Sequence, residues 1–125
     1  VLALAPGQQL VVTTDVLIDG VHFSDQTTAP ADVGWRAAAA NLSDLAAMGA
    51  MPLGLTVGLG LPGDRPLTWV EALYQGLADC LAAYGGAIVG GDVVRSPVTT
   101  VAITAFGQVH PNQIIRRTTA QPRQA

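Results

Sequence analysis

The run from Met51 to Leu61 strongly restricts the fold, because large apolar residues and small residues alternate along it. Every second position is large and apolar, and glycine or threonine stands between most of them: Leu53, Leu55, Val57, Leu59 and Leu61. A period of two is the repeat of a β-strand. One face of this strand therefore carries bulky side chains, and we expect its small face to lie against another backbone or a partner molecule.

Hydrophobic periodicity and the turn residues between periodic segments predict three further strands and two helices. Asp32 is placed to cap the first helix or to favour its first turn, and Thr68 with Glu71 forms a capping box at the second. Gly90-Gly91-Asp92 is predicted to be a turn. The predicted strands cover residues 9–14, 51–61, 87–89 and 98–109, and the predicted helices cover residues 32–48 and 68–84.

The element order β-α-β-α-β-β indicates an α+β or α/β domain in which two helices cover one face of a four-stranded sheet. Residues 1–110 are predicted to form this single domain, and residues 111–125 are predicted to begin a linker. The chain starts at Val1 without a methionine, so we expect it to be a fragment.

The chain carries little charge for its size. Only 12% of its 125 residues are charged, whereas 50% are hydrophobic. Globular domains average about 25% charged residues, so part of this surface is expected to be covered. The leucine/glycine strand is expected to make the sheet face opposite the helices apolar, and we predict that two copies of the chain pair through that face.

The kinds of charge present exclude several functions. The net charge is −3, and all six basic residues are arginines. A basic face for nucleic acid is therefore disfavoured. A Walker A loop and a protein-kinase fold each need a lysine on the phosphates, so both are excluded. Any nucleotide chemistry would have to rely on metal ions and arginine.

The single cysteine, Cys80, lies in an apolar helical pattern, which predicts a buried and inert thiol. No disulfide framework is possible with one cysteine, and a reducing cytoplasm is the expected location. The longest apolar run, residues 51–61, is too short to cross a bilayer, so no membrane association is expected.

The densest group of polar residues follows the first predicted strand. Thr13, Thr14 and Asp15 come at its end, and His22 lies seven residues after Asp15. Ligands of open α/β sheets bind beyond strand ends, so these residues are candidates for a site. Asp15 as a turn residue and His22 as a packed side chain are the alternatives. Asp19 is assigned to the turn at Gly20.

Asp15, Asp44 and Asp92 occupy comparable positions in three segments. Asp44 lies in a helix that is apolar on both faces, where a free carboxylate is costly. No lysine is available to neutralise the three groups, so their convergence would require cations. Clustered oxygen ligands suit Mg²⁺ bound together with substrate phosphates. A backbone-bonded Asp44 and an ordinary turn at Asp92 are the alternatives.

Four stretches together resemble the thiamine-monophosphate kinase family. Its superfamily includes aminoimidazole ribonucleotide synthetase, selenophosphate synthetase and the hydrogenase maturation protein. The resemblance covers nearly the whole chain, and it implies a mixed sheet whose open face pairs in a homodimer to form a barrel. The stretches are Thr13-Thr14-Asp15 through Gly20-Val21-His22-Phe23, Asn41-Leu42-Ser43-Asp44-Leu45-Ala46-Ala47-Met48-Gly49-Ala50, Gly90-Gly91-Asp92 and Arg116-Arg117.

The resemblance implies Mg²⁺-dependent transfer of the γ-phosphoryl group of ATP to thiamine monophosphate, which gives thiamine diphosphate. It implies that the metal site comprises Thr13, Thr14, Asp15, Asp44 and Asp92. It also implies that His22 contacts the thiamine phosphate. The ATP side would comprise Tyr74, Gly91, Asp92 and Arg117.

The chain departs from the family pattern at both ends. The family has a glycine-aspartate-aspartate segment before the position of Val1 and a Ser-Gly-Ala sequence after that of Arg117, where this chain has Thr118-Thr119-Ala120. The family also has a second domain, so the fragment alone is expected to be inactive. The alternatives are a non-catalytic dimerisation module left by truncation and a superfamily relative with another acceptor.

Overall fold

A computed structural model describes residues 1–119 of the chain. Its four strands form one sheet in the order β1-β4-β2-β3. Two short 3-10 turns, Pro111–Gln113 and Arg117–Thr119, follow the last strand. The six main elements are β1 Gln9–Ile18, α1 Pro30–Ala47, β2 Met51–Leu61, α2 Leu67–Tyr84, β3 Ile88–Arg95 and β4 Thr100–Val109.

The sheet is mixed. Strand β4 pairs antiparallel with both β1 and β2, whereas β2 and β3 are parallel. A parallel pair needs a long crossover, and α2 supplies it. Both helices pack into a single core with one face of the sheet. The predicted four-stranded sheet with two helices on one face is therefore confirmed.

The alternation along β2 decides which side chains enter the core. Leu55, Val57 and Leu59 are buried beneath the helices, and Gly58 lies between them on the uncovered face. The expectation that β2 makes the uncovered face apolar was wrong, because its leucines point towards the helices. The apolar surface on that face comes instead from the two edge strands, where four side chains are 44–54% exposed: Leu10, Val12 and Val16 of β1 and Val94 of β3.

Helices α1 and α2 approach each other at two glycines. A Cβ atom on Gly34 would overlap the carbonyl oxygen of Leu73, and one on Gly76 would overlap the carbonyl oxygen of Ala31. Both glycines are buried, so each helix rests directly on the backbone of the other. This close contact lets two helices fit side by side over four strands.

Two predicted boundaries are wrong because strand pairing continues past them. Strand β1 extends to Ile18, so Asp15 lies within the strand, opposite Ile103, and not at its end. Strand β3 runs through Gly90, Gly91 and Asp92, which pair with β2 and do not form a turn. In both places the hydrogen bonds of a neighbouring strand override the local tendency of aspartate and glycine to form turns.

The helix ends differ from the predicted caps at their N-termini. Ala29 precedes α1 and Pro30 begins it, while Asp32 lies in the first turn, which is one of its two predicted roles. Pro66 precedes α2 and no side chain caps it, so the predicted capping box was wrong. Gly85 ends α2 at a φ of 96°, as predicted.

The polypeptide after β4 stays close to α1. The Ile115 amide donates to the carbonyl oxygen of Met48 at 3.2 Å. Most of the side chains from 110 to 119 are exposed. The division into a domain of residues 1–110 and a linker of 111–125 stays a prediction, and residues 120–125 of that linker lie outside the described residues.

Cys80 is fully buried on α2, as predicted, and burial raises the pKa of its thiol. Within residues 1–119, neither helix has the length and apolar character that a membrane crossing demands.

The contact between the helices predicts a sensitive position. Gly76→Ala would push a methyl group into the α1 backbone, so we expect the free energy of unfolding to fall by about 1–3 kcal/mol, the usual cost of overpacking. Urea denaturation followed by circular dichroism measures the loss. Gly58→Ala is the matched control, because its Cβ would make only an ordinary contact, 3.6 Å from the Cβ atom of Ala102. Equal stability of the two variants would contradict the prediction.

Candidate functional site

The first group of candidate residues joins β1 to α1. The Thr13 hydroxyl donates a hydrogen bond to a carboxylate oxygen of Asp44 at 2.7 Å. Asp15 lies two residues further along β1 on the same face, which is a step of about 7 Å. Strand β1 is at the edge of the sheet, so the group is open to solvent on one side.

Asp44 is exposed in the chain, contrary to the prediction that α1 is covered on both sides. The helix buries one face, which includes Ala37, Asn41 and Leu45, and its other side forms the outer surface of a two-layer structure. Trp35, on the outer side, is 39% exposed. The Asp44 carboxylate therefore stays in contact with water, and only one of its two oxygens takes part in the hydrogen bond with Thr13.

Thr14 points to the opposite face of the sheet from Thr13, because successive strand residues alternate. Its hydroxyl donates to the carbonyl oxygen of Ile103 at 2.8 Å and accepts from the hydroxyl of Thr104 at 3.3 Å. The two threonines that are adjacent in sequence thus serve different faces, and only Thr13 meets Asp44.

Asp92 lies far from the other two aspartates within one chain. It is opposite Gly58 on the uncovered face, and its carboxylate accepts from the Val93 amide at 2.9 Å. Strands β1 and β3 are the two edges of the sheet, three strand spacings or about 14 Å apart. Over residues 1–119, no group of three or more His, Cys, Asp or Glu side chains could hold a metal ion.

Gly91 and Tyr74 belong to the half of the domain built from β2, α2 and β3. A Cβ atom on Gly91 would overlap the Val57 carbonyl oxygen, so this strand position requires glycine. Tyr74 precedes Gly76 by two residues, about 200° around the helix, and therefore faces away from α1. Burial raises the pKa of the Tyr74 hydroxyl, which stays protonated as a hydrogen-bond donor. Arg117 is exposed in the turn after β4.

His22 is held in a defined orientation on an exposed loop. Its Nδ1 accepts a hydrogen bond from the Ile18 amide at 3.0 Å, and its carbonyl oxygen accepts from Arg36 at 2.5 Å. Because Nδ1 is an acceptor, the ring proton of the neutral side chain is on Nε2. The ring is exposed and not packed in the core, and it lines a pocket of about 220 Å³ with Val21, Phe23 and other residues of the loop.

Sequence reasoning missed the ionic cluster that joins this loop to the connection between β2 and α2. Arg65 forms ion pairs with Asp19 at 3.1 Å and Asp25 at 2.6 Å. Asp19 therefore binds an arginine and does not only serve the turn at Gly20. The partners are separated by 40 and 46 residues along the chain, so no sequence spacing connects them. The rarity of basic residues was the one available signal.

The donor atoms of the first group fit a hard divalent cation. Thr13, Asp15 and Asp44 offer only hydroxyl and carboxylate oxygens, and nitrogen and sulfur donors are absent from these three side chains. Magnesium is commonly held by one or two carboxylates, with waters and substrate phosphates completing its coordination. These residues can therefore form the protein part of a magnesium and phosphate site, but they do not enclose an ion alone.

Comparison with known proteins agrees with this fold. The curated thiamine-monophosphate kinase of Synechococcus elongatus is 60% identical over 121 residues, which is 97% of this chain and 37% of that protein. The chain thus spans about a third of the length of this relative.

Solved structures give the same result. The crystal structure of thiamine monophosphate kinase from Aquifex aeolicus superimposes with a TM-score of 0.84 at 33% identity, covering 90% of this chain and 37% of that one. A solved structure described as AaThiL complexed with AMPPCP and TMP superimposes with a TM-score of 0.81 at 32% identity. The match covers 86% of this chain and 35% of that one.

The family model described as AIR synthase related protein, N-terminal domain, matches residues 1–109, which include all four strands and both helices. The chain belongs to this family of AIR synthase related proteins and contains its N-terminal domain.

Proposed function

We propose that this chain is the N-terminal part of a thiamine-monophosphate kinase, which transfers the terminal phosphoryl group of ATP to thiamine monophosphate. The observation that carries the proposal is the Thr13–Asp44 hydrogen bond, which holds oxygen donors beside Asp15 at an open sheet edge. The names of the relatives support the same activity, and so does the relative bound to AMPPCP and TMP. The activity would belong to the whole protein, and we expect the fragment alone to be inactive.

In this proposal Asp15 and Asp44 would hold magnesium, with Thr13 keeping the Asp44 carboxylate in place. Bound magnesium would neutralise the charge of the two phosphate groups and help to align them for transfer. Thr14 and Asp92 lie on the opposite face of the sheet, and they are proposed to contribute oxygens to metal binding once that face is paired in the whole protein. Phosphoryl transfer requires positioning and charge neutralisation and needs no covalent enzyme intermediate.

His22 is proposed to bind the phosphate of thiamine monophosphate. With Nδ1 occupied by the Ile18 amide, the Nε2–H group can donate to a phosphate oxygen. Tyr74, Gly91 and Arg117 are proposed to form the ATP side, where the Tyr74 hydroxyl donates, Gly91 lets backbone come close and Arg117 supplies positive charge. In a chain without lysine, arginine is the side chain available for this last task.

A homodimer formed through the uncovered sheet face is part of the proposal. That face exposes Leu10, Val12 and Val16 of β1 and Val94 of β3, each 44–54% exposed in the single chain. Pairing would bury this surface and complete a barrel from two sheets. It would also enclose Thr14 and Asp92, which lie on the same face. The single, buried Cys80 fits a cytoplasmic location, where thiols stay reduced.

A non-catalytic dimerisation module is the second candidate. The separation of Asp92 from Asp15 within one chain favours it, because a lone chain does not assemble the three carboxylates. The two candidates differ in whether the whole protein turns over a phosphate acceptor.

The whole protein is predicted to form thiamine diphosphate from ATP and thiamine monophosphate in the presence of Mg²⁺. Product formation measured by chromatography tests this, with selenide and formylglycinamidine ribonucleotide as competing acceptors. Turnover of either competing acceptor without thiamine diphosphate formation would assign the protein to another branch of the superfamily. No turnover with any acceptor would favour the dimerisation module.

Asp44→Asn in the whole protein is predicted to lower kcat/KM by at least about tenfold, because the amide keeps the size of the side chain but loses its charge for the cation. Raising the Mg²⁺ concentration should restore part of the activity. Asp79→Asn is the matched control, since Asp79 is exposed on α2 and bonds only to Gln75 among the described residues. Equal activity of both variants would argue against a metal-binding role for Asp44.

Val12→Lys is predicted to weaken the proposed dimer by at least about a hundredfold in Kd, because the symmetry places two added charges among the valines and leucines of the interface. Analytical ultracentrifugation of the whole protein over a concentration series measures the change. Leu67→Lys is the control, because Leu67 is 70% exposed at the start of α2, away from that face. A dimer that survives Val12→Lys unchanged would exclude pairing through the uncovered face.

A further inference from the structure

The loop between β1 and α1 carries His22 and has little apolar anchoring of its own. Phe23 is its one buried large side chain, and it stacks on Trp69 of α2 with ring centroids 6.3 Å apart. Val21 is 73% exposed, and His22 is also exposed. A loop of this kind is expected to move unless polar contacts hold it.

Arg65, from the connection between β2 and α2, grips this loop at two points. Its guanidinium donates to the Asp25 carboxylate at 2.6 Å and to the Asp19 carboxylate at 3.1 Å. These aspartates lie three residues on either side of His22. One rigid guanidinium therefore fixes both ends of the segment that presents the histidine.

The remaining bonding capacity of the cluster is also used. Arg65 donates to the Thr99 hydroxyl at 2.8 Å, which ties the loop to the start of β4. The indole nitrogen of Trp69 donates to the second oxygen of Asp25 at 3.1 Å, and the guanidinium lies 4.7 Å from the centre of the Trp69 ring. The hydrogen bond from Arg65 is the main cause that lowers the pKa of Asp25, so this carboxylate is charged at neutral pH.

The location of the cluster indicates more than a surface ion pair. The Arg65 side chain is 11% exposed, and its partners Asp19 and Asp25 are 24% and 56% exposed, so the Asp19 pair is the sheltered one. Isolated ion pairs contribute little when both partners are solvent-exposed, which is not the case for this shared guanidinium. Arg65 does not line the pocket of about 220 Å³ to which His22 belongs; it lines a separate pocket of about 430 Å³ together with Asp25. One of the chain's six basic residues is thus committed to ordering a candidate binding loop and is not placed in the pocket of His22.

We propose that Arg65 is a positioning residue, which fixes residues 19–28 through Asp19 and Asp25 and so presents His22 to a phosphorylated substrate. The proposal rests on the proposed function for the identity of that substrate, but the ordering of the loop does not. Preorganisation of this kind lowers the entropy lost on binding. Its removal should therefore weaken substrate binding more than it slows the turnover of substrate that is already bound.

The first test uses amide hydrogen exchange on the whole protein, without ligands. In Arg65→Met, exchange at residues 19–28 should accelerate by about tenfold or more, while the amides of α1 and β4 keep their native protection. The exchange rate of the same residues in Arg65→Lys should lie between the rates in Arg65→Met and in the native protein, because a lysine can reach one carboxylate but not both. Unchanged exchange in the loop of Arg65→Met would overturn the proposal.

The second test uses steady-state kinetics with thiamine monophosphate and ATP varied separately. Arg65→Met should raise KM for thiamine monophosphate by about tenfold and leave KM for ATP within about twofold, the split expected for loss of binding alone. Arg95→Met, a loss of an exposed arginine on β3, is the matched control. A loosened loop with an unchanged KM for thiamine monophosphate would overturn the positioning role.

A double-variant cycle separates this role from general stability. If Arg65 acts through Asp25, the double variant Arg65→Met with Asp25→Asn should have a KM for thiamine monophosphate no higher than that of the more affected single variant. Additive effects would mean that Arg65 acts by another route, which would overturn the stated mechanism. If the native protein does not phosphorylate thiamine monophosphate, the proposed function fails, and the exchange experiment still decides whether Arg65 orders the loop.

Discussion

The close contact of α1 with α2 at Gly34 and Gly76 governs the arrangement of the domain. Because each helix rests on the backbone of the other, both fit over the same face of a four-stranded sheet. The opposite face is then left without cover, and its apolar side chains on β1 stay half exposed. Helix spacing therefore determines both where the core lies and which face of the sheet stays uncovered.

The same arrangement sets the character of the candidate site. Helix α1 lies along the outer edge of the sheet, so Asp44 meets Thr13 of the edge strand in contact with solvent. Charged oxygens at such an edge remain hydrated until a cation and phosphates replace the water, and this avoids the cost of burying an unpaired carboxylate. In the proposed function, this edge would form one wall of a phosphate site.

Polar contacts stabilise the loop after β1, which contributes little to the hydrophobic core. The loop after β1 has one buried aromatic side chain. Backbone hydrogen bonds within the loop and the side-chain bonds of Arg65, Arg36 and His22 supply its further order. In a chain with few charges, the single guanidinium of Arg65 contacts Asp19 of the loop, Thr99 just before β4 and the ring of Trp69 on α2. The loop and the sheet edge are thus held by different physical means, the first by ion pairs and the second by strand pairing.

The sequence by itself determined the kinds of element and most of their extents, because the period of two in Met51–Leu61 and the helical repeats are local properties. The motif stretches also identified the family. Only the tertiary structure decided that Asp15 and Asp92 lie within strands, that Thr13 and Thr14 face opposite sides, and that Arg65 binds Asp19 and Asp25. Those facts depend on strand order and register, which join residues tens of positions apart and which local composition does not encode.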